Sequence, residues 1–146
     1  MSAYERTGWR CQAISERHRF WGFNCPGVDL DFVMAEYNHG KPVALVEYKD
    51  RHAAPPEVNH PTYNALTALA DGYAPGPLPF FIATYDSEEW WFVVTPINER
   101  AKSLFSQHAG KPLSEQQFVR GLYLLRKRVL DAADLDVISR LNVGTR

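Results

Sequence analysis

An α/β (α+β) fold, with a central mixed β-sheet of about five strands flanked by helices, is what this 146-residue sequence predicts. Three observations carry that reading. Short runs rich in β-branched and aromatic residues (DFVMAEY, PVALVEYK, FFIATY, WWFVVT) are bounded by turn residues. Two longer stretches, NHPTYNALTALADGY and SEQQFVRGLYLLRKRVL, repeat apolar residues at helical spacing. The strand runs also carry apolar residues on both faces, which requires helices on both sides of the sheet.

The length suits a single domain, residues 1–146, with a sizeable core. With 16 Lys+Arg against 17 Asp+Glu, the chain has no overall field for nucleic acid, so any such contact must come from a local patch. Met1 to Arg19 is too polar for a signal peptide, and no apolar run is long enough to cross a membrane. Cys11 and Cys25 form no CxxC motif; both are expected as reduced thiols in the cytoplasm.

Taken in order, Thr7 can cap a first helix running to about His18. Arg19 to Asn24 (RFWGFN) reads as a short aromatic strand stopped by Pro26-Gly27. Val28–Tyr37 and Pro42–Lys49 then form a hairpin around Asn38-His39-Gly40, with Gly40 supplying positive φ. Pro61 suits the first position of the next helix, with Asn59 or His60 as its cap, Gly72 as its end, and Leu66, Leu69, Ala70 and Tyr73 as its apolar face. A proline-rich loop leads to a second hairpin, in which Trp90 and Trp91 must point to opposite faces of one strand. A short helical piece near Ala101–Phe105 precedes a last helix capped by Ser114 and Gln117 and buried through Phe118, Leu122, Leu125 and Val129. The order is αβββαββα.

The charged positions of the first hairpin decide the functional reading. Side chains alternate along a strand, so Asp29 and Asp31 share a face, as do Glu47 and Lys49. With a three-residue loop, Tyr37 opposes Lys41, Asp31 opposes Glu47, and Asp29 opposes Lys49. A two-residue loop would flip one set to the other face. Opposed carboxylates about 5 Å apart at Cβ repel unless protonated or bridged by a cation, and Mg²⁺ suits such oxygen donors. Lys49, on the same face, can orient a water and steady a phosphoryl oxygen. The five histidines have no zinc spacing.

DLDF followed, after a hairpin, by VEYKD resembles the PD-(D/E)XK nuclease superfamily, which includes many restriction enzymes and Holliday junction resolvases. The resemblance covers about Thr7 to Tyr85. It implies a restriction endonuclease-like core and a metal-dependent nuclease acting on DNA, with Asp31, Glu47 and Lys49 as catalytic residues. It further implies Mg²⁺, or Mn²⁺ in its place, on Asp31 and Glu47. No proline directly precedes either aspartate, so Asp29 stands as an alternative ligand to Asp31. Many members add a glutamate from the first helix, here Glu16 or else Glu5. Arg17, Arg19 and Arg51 are candidate phosphate contacts; the basic run Arg126–Arg128 is another, or a solvated face. A chain of this size would need a homodimer, a partner protein or structure-specific recognition to choose its target. The alternative is a catalytically inactive nucleic-acid or protein binding module on the same fold, of the kind that phages or mobile elements encode.

Overall fold

The computed structural model describes residues 12–22 and 27–126. Its elements are α1 (Gln12–Trp21), β1 (Phe32–Glu36), β2 (Lys41–Asp50), α2 (Pro61–Asp71), β3 (Phe80–Tyr85), β4 (Phe92–Pro96), α3 (Glu99–Leu104) and α4 (Glu115–Arg126). The four strands lie side by side in the order β1-β2-β3-β4. β1 pairs antiparallel with β2, β2 parallel with β3, and β3 antiparallel with β4. The sheet is therefore mixed, and α2 makes the crossover that its parallel pair requires. Among the described residues no helix is long and apolar enough to cross a membrane.

Two cores form because β2 and β3 are covered on both faces. On one face Ala44, Val46, Phe81, Ala83 and Val94 pack with Ala101, Phe105, Phe118 and Leu125 from α3, α4 and the segment between them. On the other, Leu45, Phe80 and Ile82 pack with Tyr63, Leu66 and Ala70 of α2. Phe80 to Ala83 are thus four consecutive buried residues, the signature of an interior strand. At the edge of the sheet, β1 leaves Val33 half exposed.

Caps fix the helix ends. His60 is the α2 N-cap, and Pro61 takes the first helical position. At α4, Gln117 N–H donates to Ser114 Oγ at 3.2 Å and Ser114 N–H donates to Gln117 Oε1 at 2.9 Å, the reciprocal pair its sequence implies. Arg126 ends that helix on the buried carboxylate of Glu36, with Nη2 donating to Oε2 at 2.8 Å. That contact raises the guanidinium's pKa. It draws Arg126 out of any solvated basic run; Lys127, Arg128 and Val129 lie outside the described residues.

Several expectations are corrected. Among the described residues the sheet has four strands rather than about five, because α1 continues through Trp21 and takes up the first half of the strand expected at Arg19–Asn24. Contacts at helical spacing favour this: the His18 and Trp21 rings lie 4.8 Å apart, and the Arg17 guanidinium is 5.8 Å from the Phe20 ring. Glu5, Thr7, Cys11 and Cys25 lie outside the described residues, as do Phe23 and Asn24. In α2 the buried face is Tyr63, Leu66 and Ala70, and Leu69 is 60% exposed. Nor does β4 begin at Trp90. Asp86 Oδ2 accepts from Glu88 N–H and Glu89 N–H, winding a turn that puts Trp90 at φ 55°. Trp90 ends half exposed, stacked on Tyr85 at 6.1 Å, and the strand starts at Phe92.

Candidate functional site: a carboxylate pair and a lysine at the first hairpin

The hairpin reaches the expected register by an unexpected route. Phe32 pairs with Val46, Val33 with Leu45 and Met34 with Ala44, but Ala35 pairs with Pro42 and Glu36 with Lys41. Tyr37 therefore does not oppose Lys41; the loop is Tyr37–Gly40, four residues long, with Gly40 at φ 61°. Val43 has no partner across the ladder and forms a bulge. Pro42, which has no N–H to give, lies beside it, and strand prolines are confined to such places. The bulge offsets the even loop, so Asp31, one residue before β1, still falls level with Glu47.

Two backbone bonds lock this arrangement. Asp31 N–H donates to Glu47 Oε1 at 3.0 Å, and Tyr48 N–H donates to Asp31 Oδ2 at 3.0 Å. Each carboxylate is tied through one oxygen to the opposite strand. Lys49 follows on the same face as Glu47. Tyr48, between them, points into the α4-side core, with Phe32 at 5.2 Å and Phe118 at 6.3 Å. Burial there pushes its hydroxyl pKa up to about 12. Leu30 packs with the α2-side cluster rather than beside Phe32, because the strand alternation ends at Asp31.

The site opens into a depression of about 770 Å³ between the C-terminal half of β2, the Ala54–Glu57 loop and the start of α2. Asp29, Asp31, Glu47, Lys49, Glu57 and His60 all line it. Asp31 therefore takes the position against Glu47, while Asp29, also lining the depression, is exposed. Glu16, Arg17 and Arg19 are exposed on α1 and do not line the depression. Arg51 forms an ion pair with Asp86 at 2.7 Å. Glu57 and His60 are site residues that the charge pattern of the hairpin did not reveal. The available signal was Asn59-His60-Pro61, which places a polar cap at the mouth of a helix following the site strand.

Electrostatics mark Glu47. It is 8% exposed, and burial raises its pKa above the ordinary 4.5. The Asp31 N–H bond opposes that rise; the Asp31 charge reinforces it, Lys49 opposes it, and Asp29 reinforces it. The folded chain thus holds a proton at Glu47 that the unfolded chain has lost between the two pKa values. Its contribution to stability is present below the unfolded value and disappears as pH rises through the folded one. Glu47→Gln is therefore expected to melt above the wild type near neutral pH without divalent ions, and level with it in acid. Thermal unfolding across pH checks this.

The donor set fits a hard divalent ion. No group of three or more His, Cys, Asp or Glu side chains among the described residues is arranged to hold a metal. A carboxylate pair, Asp31 and Glu47, is what Mg²⁺ uses when it keeps most of its waters. No family model, curated protein or solved structure matches the chain.

Proposed function

We propose that the chain is a Mg²⁺-dependent nuclease of the PD-(D/E)XK kind that hydrolyses DNA phosphodiester bonds in the cytoplasm, with Mn²⁺ as a working substitute. One observation carries the reading: the bonds from Asp31 N–H to Glu47 and from Tyr48 N–H to Asp31 hold the two carboxylates at the depression that Lys49 also lines. The antiparallel hairpin followed by a helix and a strand parallel to β2 supports it further.

Asp31 and Glu47 would hold the ion, which supplies charge neutralisation and a nucleophilic water at neutral pH. The rest falls to the chain's own groups. The Lys49 ammonium orients the attacking water and steadies charge on the phosphoryl oxygens. Asp31 N–H keeps the Glu47 carboxylate aimed into the depression, and Tyr48 N–H does the same for Asp31. Target choice would come from a second copy or a partner protein.

The test is direct. Supercoiled, linear, branched and single-stranded DNA, and RNA, are incubated with the wild type in Mg²⁺, Mn²⁺ or EDTA. Cleavage of DNA with either ion, absent in EDTA, is expected. Failure to cut any substrate sinks the proposal; DNA binding without cleavage would assign the chain to the inactive binding-module class.

A further inference from the structure

We propose that His60 touches the substrate in this site, as a neutral imidazole whose Nε2–H donates to a phosphate oxygen of a DNA strand lying beside Lys49. The inference rests on the nuclease reading and names a residue that neither the carboxylate pair nor the lysine implies.

The argument begins with the cap. His60 has extended backbone angles and accepts a hydrogen bond from Thr62 N–H, at 3.2 Å, through Nδ1. A backbone N–H can only donate, so Nδ1 must offer its lone pair, and the imidazole's one proton then sits on Nε2. Capping alone is served better by Ser, Thr, Asp or Asn. Imidazole adds a second nitrogen, which the cap leaves unused, on a residue that lines the same depression as Asp31, Glu47 and Lys49.

The ring is also held. It meets Tyr63 at 6.4 Å, inclined by 65°, and Tyr63 is buried against Phe80 at 6.1 Å. The donor, on an exposed side chain, therefore sits at the N-cap of α2 beside a residue of the core.

The tautomer limits the chemistry. With Nδ1 occupied by Thr62 N–H, giving up the Nε2 proton would leave an imidazolate anion, so His60 does not shuttle protons. It acts as a fixed, uncharged donor. Such a donor suits an oxygen that gains charge during phosphoryl transfer, and unlike a cation it does not draw Asp31 or Glu47 away from an ion. Lys49 supplies charge; His60 supplies direction.

His60→Asn separates capping from contact, because Asn caps well but lacks Nε2–H. Wild type, His60→Asn and His60→Ala would be compared by thermal unfolding, by long-range ¹H–¹⁵N spectra of the imidazoles, by Mg²⁺-dependent cleavage of an end-labelled oligonucleotide, and by binding of that oligonucleotide in EDTA. The wild-type spectrum is expected to show His60 protonated at Nε2, with that signal moving when oligonucleotide is added. His60→Asn is expected to keep the wild-type melting temperature while cleavage falls about 10²-fold and binding weakens.

An Nδ1-protonated His60 overturns the inference, as does a His60→Asn variant that cleaves and binds like wild type; the nuclease reading survives both results. A wild type that binds without cutting, and whose binding weakens in His60→Asn, removes the hydrolysis and keeps the His60 contact. A wild type that neither binds nor cuts removes both.

Discussion

Lys49→Ala is expected to slow Mg²⁺-dependent DNA cleavage by on the order of 10²–10³-fold while leaving the fold intact. Lys49 is half-buried at the C-terminal end of β2, pairs across the ladder with Thr84, and lines the depression with Asp31 and Glu47. Its ammonium lowers the proton affinity of Glu47. Removing it has two effects with different readouts. Cleavage loses the group that orients water and steadies charge, so the rate falls at every pH. Glu47 also holds its proton to higher pH, so the alkaline shift needed for residual activity grows. Lys49→Arg keeps the charge but replaces a compact point donor with a planar fork, and is expected to recover only part of the rate. A variant that cuts at the wild-type rate would remove Lys49 from the mechanism.

The largest effect on stability is expected at Asn98. This residue is 2% exposed, and its amide joins three elements. Oδ1 accepts from Phe80 N–H at 3.0 Å and from Ala101 N–H at 3.0 Å, so one oxygen both starts β3 and caps α3. Nδ2 donates to Leu78 O at 2.7 Å and to Asp71 Oδ1 at 2.9 Å, tying in the end of α2. Asn98→Ala strands buried backbone groups and removes a cap, for a loss of about 4 kcal/mol. That should lower the melting temperature by roughly 10–20 °C. Asn98→Asp keeps both acceptor bonds but sets a second carboxylate against Asp71, so it should fall between the two and recover in acid. Equal stability of Asn98→Ala and wild type, measured by denaturant unfolding, would contradict this account.

Legibility in the sequence followed the range of the interaction. Period and punctuation made the helices and β3 readable, because apolar spacing and the Ser114–Gln117 box act within a few residues. The separation of Tyr48 from Glu47 and Lys49 followed from alternation alone. The pairing of Asp31 with Glu47 was expected from a three-residue loop; the loop has four residues, and the bulge at Val43, which alternation does not mark, restores the register. The expected first strand failed over its opening residues, Arg19–Trp21, because aromatic residues suit a strand, yet His18–Trp21 and Arg17–Phe20 are also neighbours on a helix. Trp90 was misplaced because Asp86 winds the turn with its side chain, which alternation does not register. Glu57 and His60 were missed as site residues because a loop and a helix cap bring them to the hairpin through space. Asn98 had no local mark beyond a cap next to Glu99; its importance comes from strands that only the fold brings near.

The bulge at Val43 has a consequence for how the length of this hairpin can vary. The four-residue turn is an even count and the unpaired Val43 an odd one; their sum is odd, and only that sum keeps the acidic face acidic. Removing one residue from the turn, or Val43 alone, would rotate Asp31 toward Phe118 and leave Glu47 without its counterpart. Removing both would restore the pairing with a shorter tip. Insertions and deletions here are thus tolerated by parity rather than by size. A related chain with a tip of different length should carry a matching change in its bulge wherever the Asp, Glu and Lys remain together.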